Sequence, residues 1–468
     1  MTKVFVDRHE KADVKDVATA RRSLKSRVFR AGSWSLVGHV VGQGLRLGSN
    51  LILTRLLVPE MFGVMSIATV ILVVVALLSD VGIRQAIFQS QRGDDPVFLN
   101  TAWTVQVIRG GLIWGVCLLV ALALHSAGGS GWLPAHSVYA ADVLPIIVAA
   151  STFSAVITGF QSTKLISTNR DLDMKRITLI ELVTQLAGLL VMGVLAWVTR
   201  SIWALVAGGL ISSAIAVILS HSWLPGIRNR FQWDSAALKE LVGFGRWIFL
   251  SSALFVVAVN GDRLLLGAWF SADTLGIYSI AVNLATVIEN GAYRIFGTVS
   301  LPVLSEVART EPHRLRPLYF KMRLPGDLIF IGAAGFLFAT GQLIVNLLYD
   351  HRYGAAGQML QILSFGLLFT RFNLAHNAYV AMGVPSHQTA INLVRIISMF
   401  VLVPVLHHFF GMVGALVGIA FHVAPTLILV FWFNARHGLN NFKFELFVLT
   451  AWPIGYLLGW LATKAAVA

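Results

Sequence analysis

Almost all of this 468-residue chain beyond residue 31 divides into apolar stretches long enough to cross a bilayer. A span needs roughly 17–25 predominantly apolar residues to cover a hydrocarbon core about 30 Å thick. Thirteen stretches meet that need, at about 32–54, 62–83, 99–125, 142–162, 177–198, 201–221, 247–269, 274–300, 326–349, 357–381, 389–407, 411–433 and 444–463. Runs of this length specify helices, because backbone polar groups in lipid must be satisfied within the segment, whereas the strands of a membrane barrel are shorter and alternate apolar with polar residues. Composition excludes a soluble globule. The chain is 56% hydrophobic and 12% charged, its mean hydropathy is +0.75, and 22 acidic and 36 basic residues could not cover a water-soluble protein of this size. The predicted fold class is an all-α integral membrane protein.

A net charge of +14 would suggest nucleic acid in a soluble chain, but here charge is read by position. Nine lysines and arginines precede the first span, and alternate loops on that side bring the total to 26, against four on the other side (Arg55, Arg200, Arg352 and Lys464). By the positive-inside rule the N-terminus is cytoplasmic, and thirteen spans put the C-terminus outside. The first 31 residues are basic and lack the apolar core of a cleavable signal peptide, so they are expected to lie on anionic headgroups, with no role in nucleic-acid binding. A single cysteine, Cys117, excludes an intramolecular disulfide and cysteine-cluster metal sites. His376, His407 and His422 are isolated, so neither a metal nor a cofactor is expected.

Two short repeats organise the chain. Glu60-Met-Phe-Gly-Val-Met-Ser-Ile-Ala68 returns as Asp273-Thr-Leu-Gly-Ile-Tyr-Ser-Ile-Ala281 at an offset of 213, and Thr178-Leu-Ile-Glu-Leu-Val183 returns as Thr389-Ala-Ile-Asn-Leu-Val394 at 211. Matches six spans apart indicate a duplicated six-helix unit. Since six is even, both copies share one orientation and are related by a pseudo-two-fold axis along the membrane normal, with a substrate site expected between them. The division is a basic segment 1–31, an N-lobe 32–221, a cytoplasmic linker 222–246, a C-lobe 247–433 and an extra C-terminal helix 434–468.

Six arginines fall inside spans: Arg46, Arg109, Arg263, Arg294, Arg371 and Arg395. An ionised group at mid-bilayer costs from about 3 to over 10 kcal/mol unless it faces protein or water. In the first span His39, Gln43, Arg46 and Asn50 stand at i, i+4, i+7 and i+11, one polar face of a helix; Asn283, Asn290 and Arg294 repeat part of the pattern in the eighth. Interhelical hydrogen bonding, worth about 0.6 kcal/mol per contact, is the competing explanation. Intramembrane acids are fewer. Asp80 stands four residues before Arg84 as its pair, and Glu181, Asp262 and Glu289 are the candidates for ion coupling. An excess of guanidinium over carboxylate suits an anionic ligand, because arginine's fork binds phosphate bidentately; phosphate, pyrophosphate and uronic acid are the candidates. The pairs Gly38/Gly42 and Gly44/Gly48 are read as small-residue packing, not as a nucleotide loop, and Pro145, Pro404, Pro425 and Pro453 as kinks.

The segments Leu53-Thr-Arg-Leu-Leu-Val-Pro-Glu-Met-Phe-Gly63, Asp80-Val-Gly-Ile-Arg-Gln-Ala86, Gly261-Asp-Arg-Leu-Leu-Leu-Gly267, Leu348-Tyr-Asp-His-Arg-Tyr-Gly-Ala-Ala-Gly-Gln-Met-Leu-Gln361 and Ala381-Met-Gly-Val-Pro385 together resemble bacterial polysaccharide transporters. These form the oligosaccharide flippase branch of the superfamily that includes the MATE multidrug exporters and the lipid II flippase. The resemblance implies a MATE-like fold, residence in the bacterial inner membrane and export of undecaprenyl-pyrophosphate-linked oligosaccharide for an exopolysaccharide, O-antigen or lipopolysaccharide. It also implies membrane lipids, a polysaccharide polymerase and a chain-length regulator as partners of a monomeric transporter, not an enzyme. Family members often have twelve or fourteen spans. The competing functions are a cation-coupled multidrug exporter, disfavoured because the first span holds Arg46 and no acid, and a membrane enzyme of polysaccharide assembly. Such an enzyme is disfavoured because the longest outside loop, about residues 126–141, has no paired carboxylates.

Overall fold

The computed structural model describes residues 30–467 apart from 80, 81, 91, 130–132 and 135, with backbone alone at 78, 89, 129, 242–256, 292–299 and 467. Asp80 and the basic segment before residue 30 therefore lie outside the described residues. All regular structure among the described residues is helical, and the chain is a multi-pass membrane protein. The first half comprises α1 (30–56), α2 (Pro59–Leu78), α3 (Ile83–Gln89), α4 (Pro96–Gly129), α5 (Leu144–Thr152), α6 (Ser154–Gly159), α7 (Lys164–Arg170), α8 (Met174–Thr199) and α9 (Trp203–Ser222). The second comprises α10 (Ser235–Trp269), α11 (Ala272–Thr310), α12 (Leu315–Leu348), α13 (Ala355–Leu363), α14 (Leu367–Thr370), α15 (Asn373–Ala381), α16 (Ser386–Phe421) and α17 (Thr426–Arg436), followed by α18 (Phe442–Leu449) and α19 (Ala451–Val467).

Seven helical stretches among the described residues are long and apolar enough to cross a membrane, or eight if Leu144–Gly159 and Lys164–Arg170, bent by 65°, count as one. The thirteen expected from sequence are not reached by this measure, for identifiable reasons. α1 carries the polar stripe from His39 to Asn50, α11 carries Asp273 and Glu289, and α10 has backbone alone at 242–256. The expected span 357–381 is broken into α13, α14 and α15. The expected pair 389–407 and 411–433 falls in one stretch, Ser386–Arg436. Its chain nevertheless turns back at Gly411, whose φ of 58° and ψ of −139° suit only a residue without a Cβ. A Cβ on Gly418 would stand 2.9 Å from Val403 Cα, a contact fifteen residues apart that a straight helix could not make. The break is thus at Gly411, not at Pro404.

The duplicated segments meet each other. A Cβ on Gly63 would overlap the Ala272 carbonyl, and one on Gly276 would overlap the Pro59 carbonyl. Pro59 and Gly63 are equivalent to Ala272 and Gly276 at the offset of 213, so α2 and α11 touch reciprocally, as surfaces do across a two-fold axis. The segment between the halves is pinned to α4. Arg230 and Gln232 donate backbone N–H groups to Asn100 Oδ1 and Thr104 Oγ1, both at 3.1 Å, and Asp234 caps α10 by accepting from the Ala236 and Ala237 amides. At the C-terminus α19 lies against α12, where Gly335, Gly455 and Gly459 bring the two backbones together.

Candidate functional site

Helix periodicity places the polar residues of α1 on one face, and that face borders a cavity of about 800 Å³. His39, Gln43, Arg46 and Asn50 all line it. From the second half come Asn260 and Arg263 on α10, and Ser279, Asn283, Thr286 and Asn290 on α11. Ser66 and Ser279, equivalent in the repeat, both face it. No carboxylate is found among the described residues of the lining. Arg46 is exposed to the cavity and makes no side-chain hydrogen bond or ion pair among the described residues; the buried Arg263 Nε likewise has no hydrogen-bond partner there. Two guanidinium groups, one from each half, thus present unneutralised charge to one polar chamber.

The remaining candidates stand elsewhere. On α4, Arg109 donates to Ala76 O at 2.6 Å and to Ser79 Oγ at 3.3 Å, tying α4 to α2. Arg371 is buried, donating to Glu445 Oε2 at 2.8 Å and Asp327 Oδ2 at 3.4 Å, while Arg323 donates to the same two carboxylates at 2.8 Å each. This neutral quartet keeps Arg371 out of the cavity lining. Arg395 donates through Nε to His422 Nε2 at 3.2 Å. Of the carboxylates proposed for coupling, Glu289 accepts from Thr370 Oγ1 at 2.7 Å and Asp262 from Tyr278 OH at 2.6 Å, whereas Glu181 is exposed on α8. Arg294 lies outside the described side chains. No cluster of three metal-ligating side chains occurs among the described residues.

Two features went unread in the sequence. Arg323, three residues before the expected span 326–349, is fully buried, a role signalled only by Asp327 four residues on. Asn260, three residues before Arg263, shares its face toward the cavity.

One end of the cavity adjoins the Gly63/Gly276 crossing. Next to the lining residues Leu53, Phe62 and Ser279 the backbones of α2 and α11 come into contact, and each half clasps the helix end of the other. Tyr353 donates its hydroxyl to Leu57 O at 3.1 Å, and the Val138 amide donates to Phe270 O at 3.1 Å; Leu57 and Phe270 are repeat equivalents. Arg352, paired with Asp350, also donates to Thr54 O at 3.0 Å. A leucine at Gly276 cannot fit beside the Pro59 carbonyl, so Gly276→Leu is expected to unseal this end. The measurement is labelling of a cysteine placed at Ile280 by an impermeant maleimide, the buried Cys117 giving little background. Unchanged labelling would remove the crossing as a seal.

Comparison with known proteins adds relatives. The model of a family described as "polysaccharide biosynthesis protein" matches residues 52–356. The chain is 24% identical to the lipopolysaccharide biosynthesis protein WzxC of Escherichia coli K12 over 342 residues, 73% of this chain and 67% of that one. It is 21% identical to a putative O-antigen transporter of Shigella flexneri over 87% of this chain and 98% of that one. Among solved structures, an inward-facing MATE family multidrug transporter of the MOP superfamily aligns with a TM-score of 0.67 at 14% identity, covering 85% of this chain and 94% of that one. The lipid II flippase MurJ, in an inward closed conformation, aligns with a TM-score of 0.65 at 11% identity, covering 93% and 99%. At such identities the likeness speaks for a shared fold.

Proposed function

This chain belongs to the polysaccharide biosynthesis protein family, and we propose that it is a flippase for undecaprenyl-pyrophosphate-linked oligosaccharide repeat units. Transport runs from the cytoplasmic to the periplasmic leaflet of the bacterial inner membrane. The observation that carries this reading is the pairing of Arg46 and Arg263, drawn from the two halves, in a polar cavity whose described lining has no carboxylate. A pyrophosphate and several sugars could not cross hydrocarbon unaided, since each unpaired polar group there costs several kcal/mol. A wet chamber removes that barrier, its amide and hydroxyl side chains offer hydrogen bonds to sugars, and the guanidinium groups hold the diphosphate.

By the positive-inside tally the end at the Gly63/Gly276 crossing is periplasmic; with that crossing as the seal, the chamber loads from the cytoplasm. Rocking of the halves that parts the Gly63/Gly276 crossing then opens the periplasmic side. Outward movement of an anion is favoured by about 2.3 kcal/mol per charge per 100 mV. Both halves of the chamber come from one chain, so a monomer suffices, delivering units to a polymerase and a chain-length regulator.

The test is reconstitution of the full chain in liposomes with fluorescent undecaprenyl-pyrophosphate-oligosaccharide. Protein-dependent exchange of the label between leaflets is expected; exchange no faster than in empty vesicles would sink the reading. Export of cationic drugs in its place would favour a multidrug exporter.

A further inference from the structure

A second cavity, apolar and of about 410 Å³, lies directly against the polar one. α1 and α8 create it by splaying. Along the first part of α1 the two helices touch: Gly38 abuts Thr178, and Gln185 Nε2 donates to Gly42 O at 2.8 Å. Beyond Gly42 they part. A Cβ built on Gly44, Gly48 or Gly193 would have no neighbour within 4 Å, so Gly44 and Gly48 do not draw helices together as the sequence suggested; with Gly193 they leave a groove. Ile52, Leu190 and Val194 are exposed along it. Ser49, Leu53 and Leu189 line both this groove and the polar cavity. A larger apolar groove between α12 and α19, about 670 Å³, shares no lining residue with the polar cavity.

The geometry points to the α1/α8 groove as the seat of the substrate's polyprenyl chain, next to a pyrophosphate held at Arg46 and Arg263. This rests on the flippase reading and adds a site within the first half of the protein, distinct from any opening between the halves. Its occupant follows from continuity: an amphiphile whose charged head sits in the polar chamber needs an apolar outlet beside that head. The groove offers one across three shared residues, and it is closed toward the start of α1 by the Gly42/Gln185 contact.

The experiment uses the full-length protein in neutral phosphatidylcholine nanodiscs with two probes, inorganic pyrophosphate and undecaprenyl pyrophosphate. Gly48→Leu or Gly193→Leu projects into the groove from a position where a Cβ has no neighbour within 4 Å. Each is expected to weaken undecaprenyl pyrophosphate binding by about tenfold while leaving inorganic pyrophosphate unchanged. Gly111→Leu on α4, at an equally open glycine, should leave both unchanged. Wild-type affinity for undecaprenyl pyrophosphate in both groove variants overturns the proposal and leaves the headgroup site standing. Equal loss of both probes overturns it too, since filling the groove would then act on the head. If the wild-type protein binds neither probe, the flippase reading fails and the groove assignment falls with it.

Discussion

Polymer export is expected to collapse in Arg46→Ala and in Arg263→Ala, with the amount of protein in the membrane unchanged. Neither guanidinium has a side-chain ion-pair partner among the described residues, so its removal leaves no carboxylate stranded and the fold has little to lose. The ligand loses a charge-assisted contact worth roughly 1.5–3 kcal/mol, a 10- to 150-fold drop in affinity. Arg→Lys at either position keeps the charge but not the planar fork, and should recover only part of the activity. The measurements are polymer yield in cells lacking the native gene and an immunoblot of the membrane fraction. Full export by both alanine variants would end the assignment; lost protein would mean that the side chains are structural.

Removal of Glu445 should have the opposite signature: loss of protein, not of transport by what remains. Glu445 and Asp327 balance Arg323 and Arg371 inside the fold, where Arg323 is fully buried and stacks over Phe444 and Phe372 at 5.3 and 5.0 Å. Truncating one member of a buried ion pair leaves a desolvated charge and costs about 3–5 kcal/mol, whereas replacing both partners with apolar residues is often neutral or better. Glu445→Ala and Arg371→Leu are each expected to lower the thermal midpoint in detergent and the steady-state level sharply. Combining Arg371→Leu with Glu445→Leu removes one charge of each sign, leaves Arg323 with Asp327 at 2.8 Å, and should restore most of the stability. If the double variant were as unstable as either single one, charge balance would not be the cause.

The contrast between these two pairs of arginines marks what the chain reveals before it is folded. The α1 stripe was legible because the helical period alone places His39, Gln43, Arg46 and Asn50 on one face, and all four reach the cavity. Arg263 and Arg371, by contrast, mislead in sequence: Arg263, beside Asp262, looks the more readily paired, yet it is Arg371 that is neutralised. What separates them is Glu445, 74 residues from Arg371 and outside the repeat, and no local pattern connects such positions. The glycines divide in the same way: Gly42 and Gly48 have the same spacing signature, yet one meets Gln185 and the other open space, because α1 and α8 diverge between them. The reversal at Gly411 was near an expected span boundary, but the break fell on a glycine that can take a φ of 58°, while Pro404 stays within the helix.

The mutual embrace of Gly63 and Gly276 has a consequence for how the two copies can drift apart. Where each copy rests on its twin, enlarging either residue injures both, so the duplicates remain chained to a common form. Where they face one another across the chamber, each may change alone, and there Asn50 in one copy has its counterpart in Arg263 of the other. Twin halves can therefore keep a shared seam while acquiring different tastes on their inner walls.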